Sequence, residues 1–172
     1  HKAIRRQRQM CIRDSYYTTT KTFYESGYTY QCDVRVSGFI ALYNKSNTWN
    51  NIYPVYKNTG ETFAQTDEGV ELLENDTWTR SKRFSIVNEA FSTSEKQRVK
   101  GHDFDIIMYI NSTTGTVDEV NFEFYKSTPY TTIPISTFRK IETEIKKNIW
   151  YTPTAEGKEL SYIYYWWAQE PK

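Results

Sequence analysis

Residues that commonly do metal or acid–base chemistry are scarce in this chain of 172 residues. His102 is followed by Asp103 just before a predicted strand, and such a pair can hold a metal ion or transfer a proton. Cys32 lies 70 positions earlier and has no suitably spaced partner, so the sequence contains no zinc signature. We expect no metal and no cofactor, with His102 structural or exposed to solvent and Cys32 a small residue of the core.

Nucleophile and phosphate-binding motifs are also absent from the sequence. It has no Gly-x-Ser-x-Gly, no His-Glu-x-x-His, and only seven glycines, which disfavours a glycine-rich nucleotide loop. Pairs of carboxylates hydrolyse glycosidic bonds in many enzymes. The candidates are Asp118, Glu119 and Glu123 on a predicted strand, and Glu68, Glu71 and Glu74 in an acidic loop. We expect solvated surface groups here, and we keep an enzyme acting on cell-wall or dietary polysaccharide as the alternative function.

Aromatic side chains give the stronger indication of function. They make up 17% of the chain, with 15 tyrosines, and the faces of Tyr and Trp rings hold sugars or extended peptides. We expect a binding surface on the sheet face that points away from a helix predicted over 134–149. Its predicted members are Tyr109, Asn121, Glu123, Tyr125, Tyr165 and Trp167. Alternatively, the N-terminal half packs over this face and these residues belong to the core, which is the arrangement we favour.

Three strands of the C-terminal half must position these side chains. Residues 104–110 and 117–125 have apolar residues at period two, and they flank a turn that ends at Gly115. This pattern is typical of an antiparallel β-hairpin. A last strand, rich in aromatic residues on both sides, is predicted over 160–167, and both of its faces must therefore be covered or meet a ligand.

A helix over 134–149 is predicted to cover one face of that sheet. Phe138, Ile141 and Ile145 recur three or four residues apart and form a one-sided apolar stripe. The opposite side of the helix is charged, so we expect the stripe to pack onto the strands.

The end of this helix and the strand after it carry a pattern known from another family. The helix exits through Ile-Trp-Tyr-Thr-Pro at 149–153, and Gly-Lys-Glu-Leu at 157–160 leads into the last strand. With its strand, strand, helix, strand order, this part of the chain, roughly its last 65 residues, resembles the TonB C-terminal domain. The matching positions are Gly115, Tyr151, Pro153, Gly157 and Trp167. The helix start, Ile-Pro-Ile-Ser-Thr-Phe, departs from that family's pattern, and the resemblance implies a fold and no activity.

From Tyr16 onward, the chain also resembles an uncharacterised family of secreted proteins from gut Bacteroides-type bacteria. This resemblance implies a secreted or periplasmic location and carries no known activity. Residues 5–15, by contrast, resemble a translated sequencing-adapter read, and the alternative for them is a basic tail or nucleic-acid arm. We interpret residues 1–15 as a non-native segment, and we expect that any signal peptide was lost with the true N-terminus.

The charge of the chain changes when that segment is set aside. Residues 1–14 hold five of the 22 basic residues and one of the 21 acidic residues, which leaves 17 and 20 and a net charge of −3. No basic patch remains, so we expect no nucleic-acid partner. No apolar run approaches the ~20 residues needed to cross a bilayer, so we expect no membrane-spanning segment.

The N-terminal half is predicted to be rich in strands. Residues 16–25 and 28–36 flank a short Ser-Gly connection, which favours a β-hairpin. Residues 39–43 form a third predicted strand. Residues 53–56 are predicted as a short edge strand, since Pro54 cannot donate to a ladder.

Between the two halves we expect a loop and two short helices. The acidic stretch 60–77 is predicted as a surface loop with one helical turn at 70–73, and Trp78 is predicted to pin its end to the core. A helix over 83–97 should break near Ser92, where Ser-x-x-Glu provides a new capping box.

These elements predict one α+β domain over 16–172, with two lobes at 16–82 and 83–172 as the alternative. Its antiparallel sheet should have a β-rich N-terminal half and a strand, strand, helix, strand C-terminal half. The predicted function is a non-enzymatic, secreted or periplasmic binding module. Its partner would be a protein or peptide strand at a sheet edge, or a glycan on the aromatic face.

Overall fold

The computed structural model describes residues 15–64, 70–74 and 76–172. The non-native segment predicted for residues 1–15 lies outside that description, apart from Ser15. The strands are β1 (Lys21–Glu25), β2 (Tyr28–Val34), β3 (Phe39–Asn44), β4 (Phe104–Ile110), β5 (Val117–Tyr125) and β6 (Ile163–Gln169). The helices are α1 (Thr77–Ala90), α2 (Thr93–Val99), α3 (Ile135–Asn148) and the short α4 (Ala155–Lys158), with a 3-10 turn at Pro129–Thr132.

Strands from both halves of the chain form one antiparallel sheet in the order β1-β2-β3-β5-β4-β6. Strand β3 joins the halves, since it pairs with β5 from Phe39 opposite Tyr125 to Tyr43 opposite Asn121. The predicted α+β class with an antiparallel sheet is confirmed. The order β4, β5, α3, β6 occurs in unrelated α+β proteins, so by itself it does not establish the resemblance to TonB.

The central hairpin has the bounds that its alternation predicts, with β4 over Phe104–Ile110 and β5 over Val117–Tyr125. Its turn depends on Gly115, whose φ is +78°. A β-carbon there would also overlap the carbonyl oxygen of Tyr151, which belongs to the chain leaving α3. Gly115 therefore permits both the turn and the close contact of two backbones.

One face of the sheet, here called the helix face, is filled by apolar side chains beneath α3. Phe138, Ile141 and Ile145 on α3 are fully buried, as the stripe predicts. The Phe138 ring lies 5.1 Å from that of Phe122 and 5.6 Å from that of Phe124. This close packing of large side chains makes the helix face the hydrophobic core of the protein.

The predicted break at Ser92 is confirmed. The Ser92 hydroxyl accepts the Glu95 amide, and the Glu95 carboxylate accepts the Ser92 amide, which completes a capping box at the start of α2. Helix α1 differs from the prediction because it begins at Thr77, six residues before the predicted start at Arg83. Its buried side includes the charged Arg83.

Two other predictions are wrong in detail. Residues 53–56 form isolated bridges, from Val55 to Thr62 and from Tyr56 to Leu160, so they are not an edge strand. Residues 70–73 form no helical turn, and Leu73 bridges to Pro153. Both segments use tertiary partners that local sequence does not specify.

The bounds of the last strand and the position of Trp78 also differ from the prediction. Strand β6 runs over Ile163–Gln169, because the preceding residues turn after α4 and bridge to the 55–56 segment. Trp78 is 39% exposed and lies against Trp150, with ring centres 4.6 Å apart, so it packs at the surface and not in the core.

Candidate ligand-binding site

The second face of the sheet, here called the cleft face, is partly covered by residues 45–64, which follow β3. Glu119 on β5 anchors this segment. Its carboxylate accepts the Thr48 amide at 2.6 Å, the Thr48 hydroxyl at 2.8 Å and the Trp49 amide at 3.0 Å. Since Glu119 is only 8% exposed, these donors replace the water that it loses. The prediction that Glu119 is a solvated surface group is wrong.

Asn121, two residues along the same strand, continues the attachment. Its side-chain amide donates to Asn50 at 3.1 Å and to the Tyr109 hydroxyl at 3.2 Å. Its carbonyl oxygen accepts the Asn47 side-chain amide at 2.8 Å. Glu119 and Asn121 together therefore hold the start of the 45–64 segment against the sheet, at a fixed distance from the strands.

Between this segment and strands β4–β6 lies an open cleft of about 550 Å³. Seven aromatic side chains line it: Trp49, Tyr53, Phe63, Tyr109, Tyr162, Tyr164 and Trp166. Tyr53 and Trp166 are 76% and 54% exposed, so two large rings face solvent across the opening. Exposed aromatic rings around a concavity are typical of a ligand site and unusual on an inert surface.

The floor of the cleft is a packed cluster of rings. Tyr162 lies at its centre, 4.7 Å from Trp49 and 5.4 Å from Tyr109, measured between ring centres. Tyr164 lies 5.9 Å from Tyr109 in an edge-to-face arrangement. The Tyr162 hydroxyl donates to the carbonyl of Ile52, and burial raises the pKa of Tyr162 to about 12, so this hydroxyl remains a donor at neutral pH. The floor is thus organised before any ligand binds.

One carboxylate, Glu123 on β5, is among the residues lining the cleft. Burial raises its pKa, Arg35 at 3.6 Å acts in the opposite direction, and Asp105 raises it further. Asp105 is the cross-strand neighbour of Glu123 on β4. Its own pKa is raised by burial and by Asp103. The cleft therefore combines a largely apolar lining with one weakly acidic corner.

Three of the six residues predicted to bind a ligand converge on the cleft. Tyr109, Asn121 and Glu123 lie at the cleft or directly beneath it. Tyr125 is on the same face but packs at the surface against Phe39, 4.9 Å between ring centres, and does not line the cleft.

Tyr165 and Trp167 do not share that face, and the prediction that they do is wrong. Strand β6 pairs Tyr164 with Tyr109, and Trp166 with Ile107, so the even-numbered rings enter the cleft. Tyr165 and Trp167 consequently belong to the helix face. Four consecutive aromatic residues give no polar alternation, so only the pairing register decides which of them reach the ligand side.

The other residues considered for metal binding or acid–base catalysis lie where the sequence analysis predicts. His102 is exposed, and Cys32 is buried in the core, where burial raises the pKa of its thiol to about 11. Asp118, Glu71 and Glu74 are exposed, and Glu68 lies outside the described residues. Within the described part of the chain, no three metal-binding side chains come together, and no helix has the length and apolar character of a membrane span.

Comparisons with known proteins give one family. Residues 13–167 match the sequence model of a family described as a domain of unknown function, DUF5043. The crystal structure of a DUF5043 family protein from Bacteroides uniformis ATCC 8492 is 36% identical in sequence and superposes with a TM-score of 0.87. That match covers 92% of this chain and 95% of the other. A search of curated proteins finds no match.

Proposed function

We propose that this chain, which belongs to the DUF5043 family, is a non-enzymatic module that binds a glycan in the aromatic cleft. The observation that carries the proposal is the lining of the cleft, where, among the residues that the structure describes, seven aromatic rings meet a single carboxylate. Sugar rings present C–H faces that pack on aromatic rings and hydroxyls that bond to polar edges. Asn50, Asn51 and Glu123 supply such polar edges along the lining.

The size and opening of the cleft suit a short segment of a longer chain. Ligand pockets commonly have volumes of roughly 300–1,000 Å³, and this one holds about 550 Å³. It is open to solvent, so a longer polysaccharide can extend beyond it. We further propose a secreted or periplasmic location, which the resemblance to secreted Bacteroides-type proteins supports and which would bring the cleft to such polymers.

A peptide strand added to a sheet edge is the less favoured partner. Near its end β6 is tied to α1, since the Gln169 side chain donates to the Phe84 carbonyl and to Asn88. The other edge strand, β1, has only five residues and carries charged ends at Lys21 and Glu25. Short charged edges resist the addition of another strand. The resemblance to the TonB C-terminal domain implies a fold and no activity, so it does not favour this partner.

An enzyme acting on polysaccharide is the second candidate, and one observation favours it. Asp105 and Glu123 are direct cross-strand neighbours on the cleft face, and the pKa of each carboxyl is raised. A raised pKa is what a general acid requires. Binding is still better supported, because Glu123 already pairs with Arg35 and Asp105 is not among the lining residues.

Tryptophan fluorescence can test this proposal, because Trp49 and Trp166 line the cleft. We expect neutral hexasaccharides of glucose, xylose or mannose to produce a saturable change, and Trp166→Ala to weaken binding roughly tenfold or more. Trp78→Ala is the matched control, since Trp78 is also partly exposed but lies against Trp150 outside the cleft.

The result separates the candidates. Equal affinities in Trp166→Ala and wild type would refute the cleft as the binding site, and saturation by peptides alone would refute a glycan ligand. Release of reducing ends from any of these sugars, abolished in Glu123→Gln, would replace binding with hydrolysis as the function.

A further inference from the structure

Arg83 is a buried charge on the helix face, far from the surface position usual for arginine. It lies on α1 and is only 4% exposed. Its guanidinium carbon is 4.8 Å from the centre of the Tyr165 ring and 4.5 Å from that of Trp167. Two cation–π contacts thus hold the group in place and contribute to its stability in the core.

Most N–H donors of the Arg83 side chain make no hydrogen bond to the described residues. Its Nη2 donates to the Tyr165 hydroxyl at 3.1 Å. Its Nε and Nη1 are buried and have no acceptor among the described residues. The Tyr151 hydroxyl is likewise buried without a hydrogen-bond partner in the part of the chain that the structure describes. Unsatisfied donors at this depth are costly, and a group of them is unusual in a native protein.

Arg83, Tyr151 and Tyr165, the residues that carry these groups, line a cavity of about 330 Å³ together with the start of α1 and with Leu73, Glu74 and Asp76. Burial raises the pKa of Tyr151 more than the nearby Arg83 charge and the Thr79 hydroxyl lower it, so the Tyr151 hydroxyl stays protonated and is a donor. We infer that this cavity is a second binding site, which takes a small monocarboxylate whose oxygens accept hydrogen bonds from Arg83 and Tyr151.

The charges around the cavity favour a single negative charge on the ligand. Glu74, Asp76 and Arg80 also line it. The Asp76 carboxylate already accepts a hydrogen bond from the Thr152 amide at 3.0 Å. Two lining carboxylates would repel a phosphate or sulfate dianion more than a monoanion. A carboxylate also matches the planar arrangement of guanidinium donors. This site lies on the helix face and does not depend on the proposed glycan cleft.

Calorimetric titration with sodium acetate and sodium propionate, at constant ionic strength in chloride, tests the inference. We expect saturable binding in wild type, a loss of roughly tenfold in affinity in Tyr151→Phe, and no detectable binding in Arg83→Gln. Lys82→Gln is the matched control, because it removes an exposed positive charge from the neighbouring position of α1. It should bind acetate as wild type does.

Tyr151→Phe keeps the ring and its packing, so it stays informative if Arg83→Gln fails to fold. Unchanged acetate affinity in Tyr151→Phe would overturn the inference. So would the absence of saturable binding in wild type, since water alone would then fill the cavity. Tighter binding of sulfate or inorganic phosphate than of acetate would overturn the carboxylate assignment.

Discussion

The two faces of the sheet use the same kinds of residue for opposite purposes. On the helix face, aromatic and aliphatic side chains such as Phe122 and Phe138 are fully buried and fill the space beneath α3. On the cleft face, rings such as Tyr53 and Trp166 stay more than half exposed around an open concavity. The two faces differ in exposure because different elements cover them. Helix α3 packs a continuous apolar stripe onto the helix face, and the 45–64 segment has no such stripe.

The covering elements are also held by different forces. Helix α3 is attached mainly by buried apolar area, which is non-directional and tolerates small shifts. The 45–64 segment is attached by directional hydrogen bonds to Glu119 and Asn121. Directional contacts at a few points keep the segment in place without filling the space beneath it. A cleft can therefore persist on one side of a sheet whose other side is close-packed.

The sharpest test of this comparison uses two adjacent tryptophans on β6. Trp167 is buried on the helix face, and Trp166 is 54% exposed in the cleft. We expect Trp167→Ala to lower the free energy of unfolding by about 3–5 kcal/mol, because it leaves a cavity and removes a ring that contacts Arg83. Trp166→Ala should cost about 0.5 kcal/mol or less. Urea denaturation measures both, and equal losses would show that the two faces are not distinct.

Helix α3 offers a second comparison, across the two sides of one element. Ile141 is fully buried against the sheet, and Lys140 beside it is exposed. We expect Ile141→Ala to cost roughly 2–5 kcal/mol and Lys140→Ala to stay within about 0.5 kcal/mol. The same denaturation experiment applies. A large loss in Lys140→Ala would mean that the helix attaches through its charged side.

Glu119→Gln tests whether polar contacts alone hold the covering segment of the cleft. Glutamine keeps one acceptor oxygen but places an amide donor next to the Thr48 and Trp49 amides, which are donors themselves. We expect a loss of about 1–3 kcal/mol and a change in Trp49 fluorescence. Asp118→Asn, an exposed neighbour on β5, is the matched control and should change neither. Wild-type stability and fluorescence in Glu119→Gln would show that packing holds the segment.

The helix face was predictable and the cleft only in part, for a physical reason. Period-two and period-3.6 patterns report which side of an element is apolar, so the hairpin and the stripe Phe138, Ile141, Ile145 follow from sequence. The cleft depends on the register of β6, whose consecutive aromatics have no polar alternation. It also depends on the path of residues 45–64, which is set by side chains about 70 positions away, Glu119 and Asn121.

The smallest expected effect concerns the acidic corner of the cleft. Burial raises the folded-state pKa of Glu123 above its ordinary value of 4.5, with Asp105 acting in the same direction. The unfolded chain then releases this proton at a lower pH than the folded protein does. The stabilisation linked to Glu123 is therefore complete below pH 4.5 and is lost as pH rises through the raised pKa. Glu123→Gln cannot titrate, so its stability relative to wild type should increase with pH across that window.

The size of this change should be about 1 kcal/mol or less, because Arg35 partly offsets the burial and the pair is accessible to solvent. Urea denaturation of wild type and Glu123→Gln at several pH values from 4 upward measures it. Arg35→Gln sharpens the test, since without its positive charge the pKa of Glu123 should rise further and the pH dependence should steepen. A difference that is flat in pH would show that Glu123 is fully hydrated. The acidic corner of the cleft would then resemble ordinary protein surface. The contrast between the two faces of the sheet would rest on the aromatic rings alone.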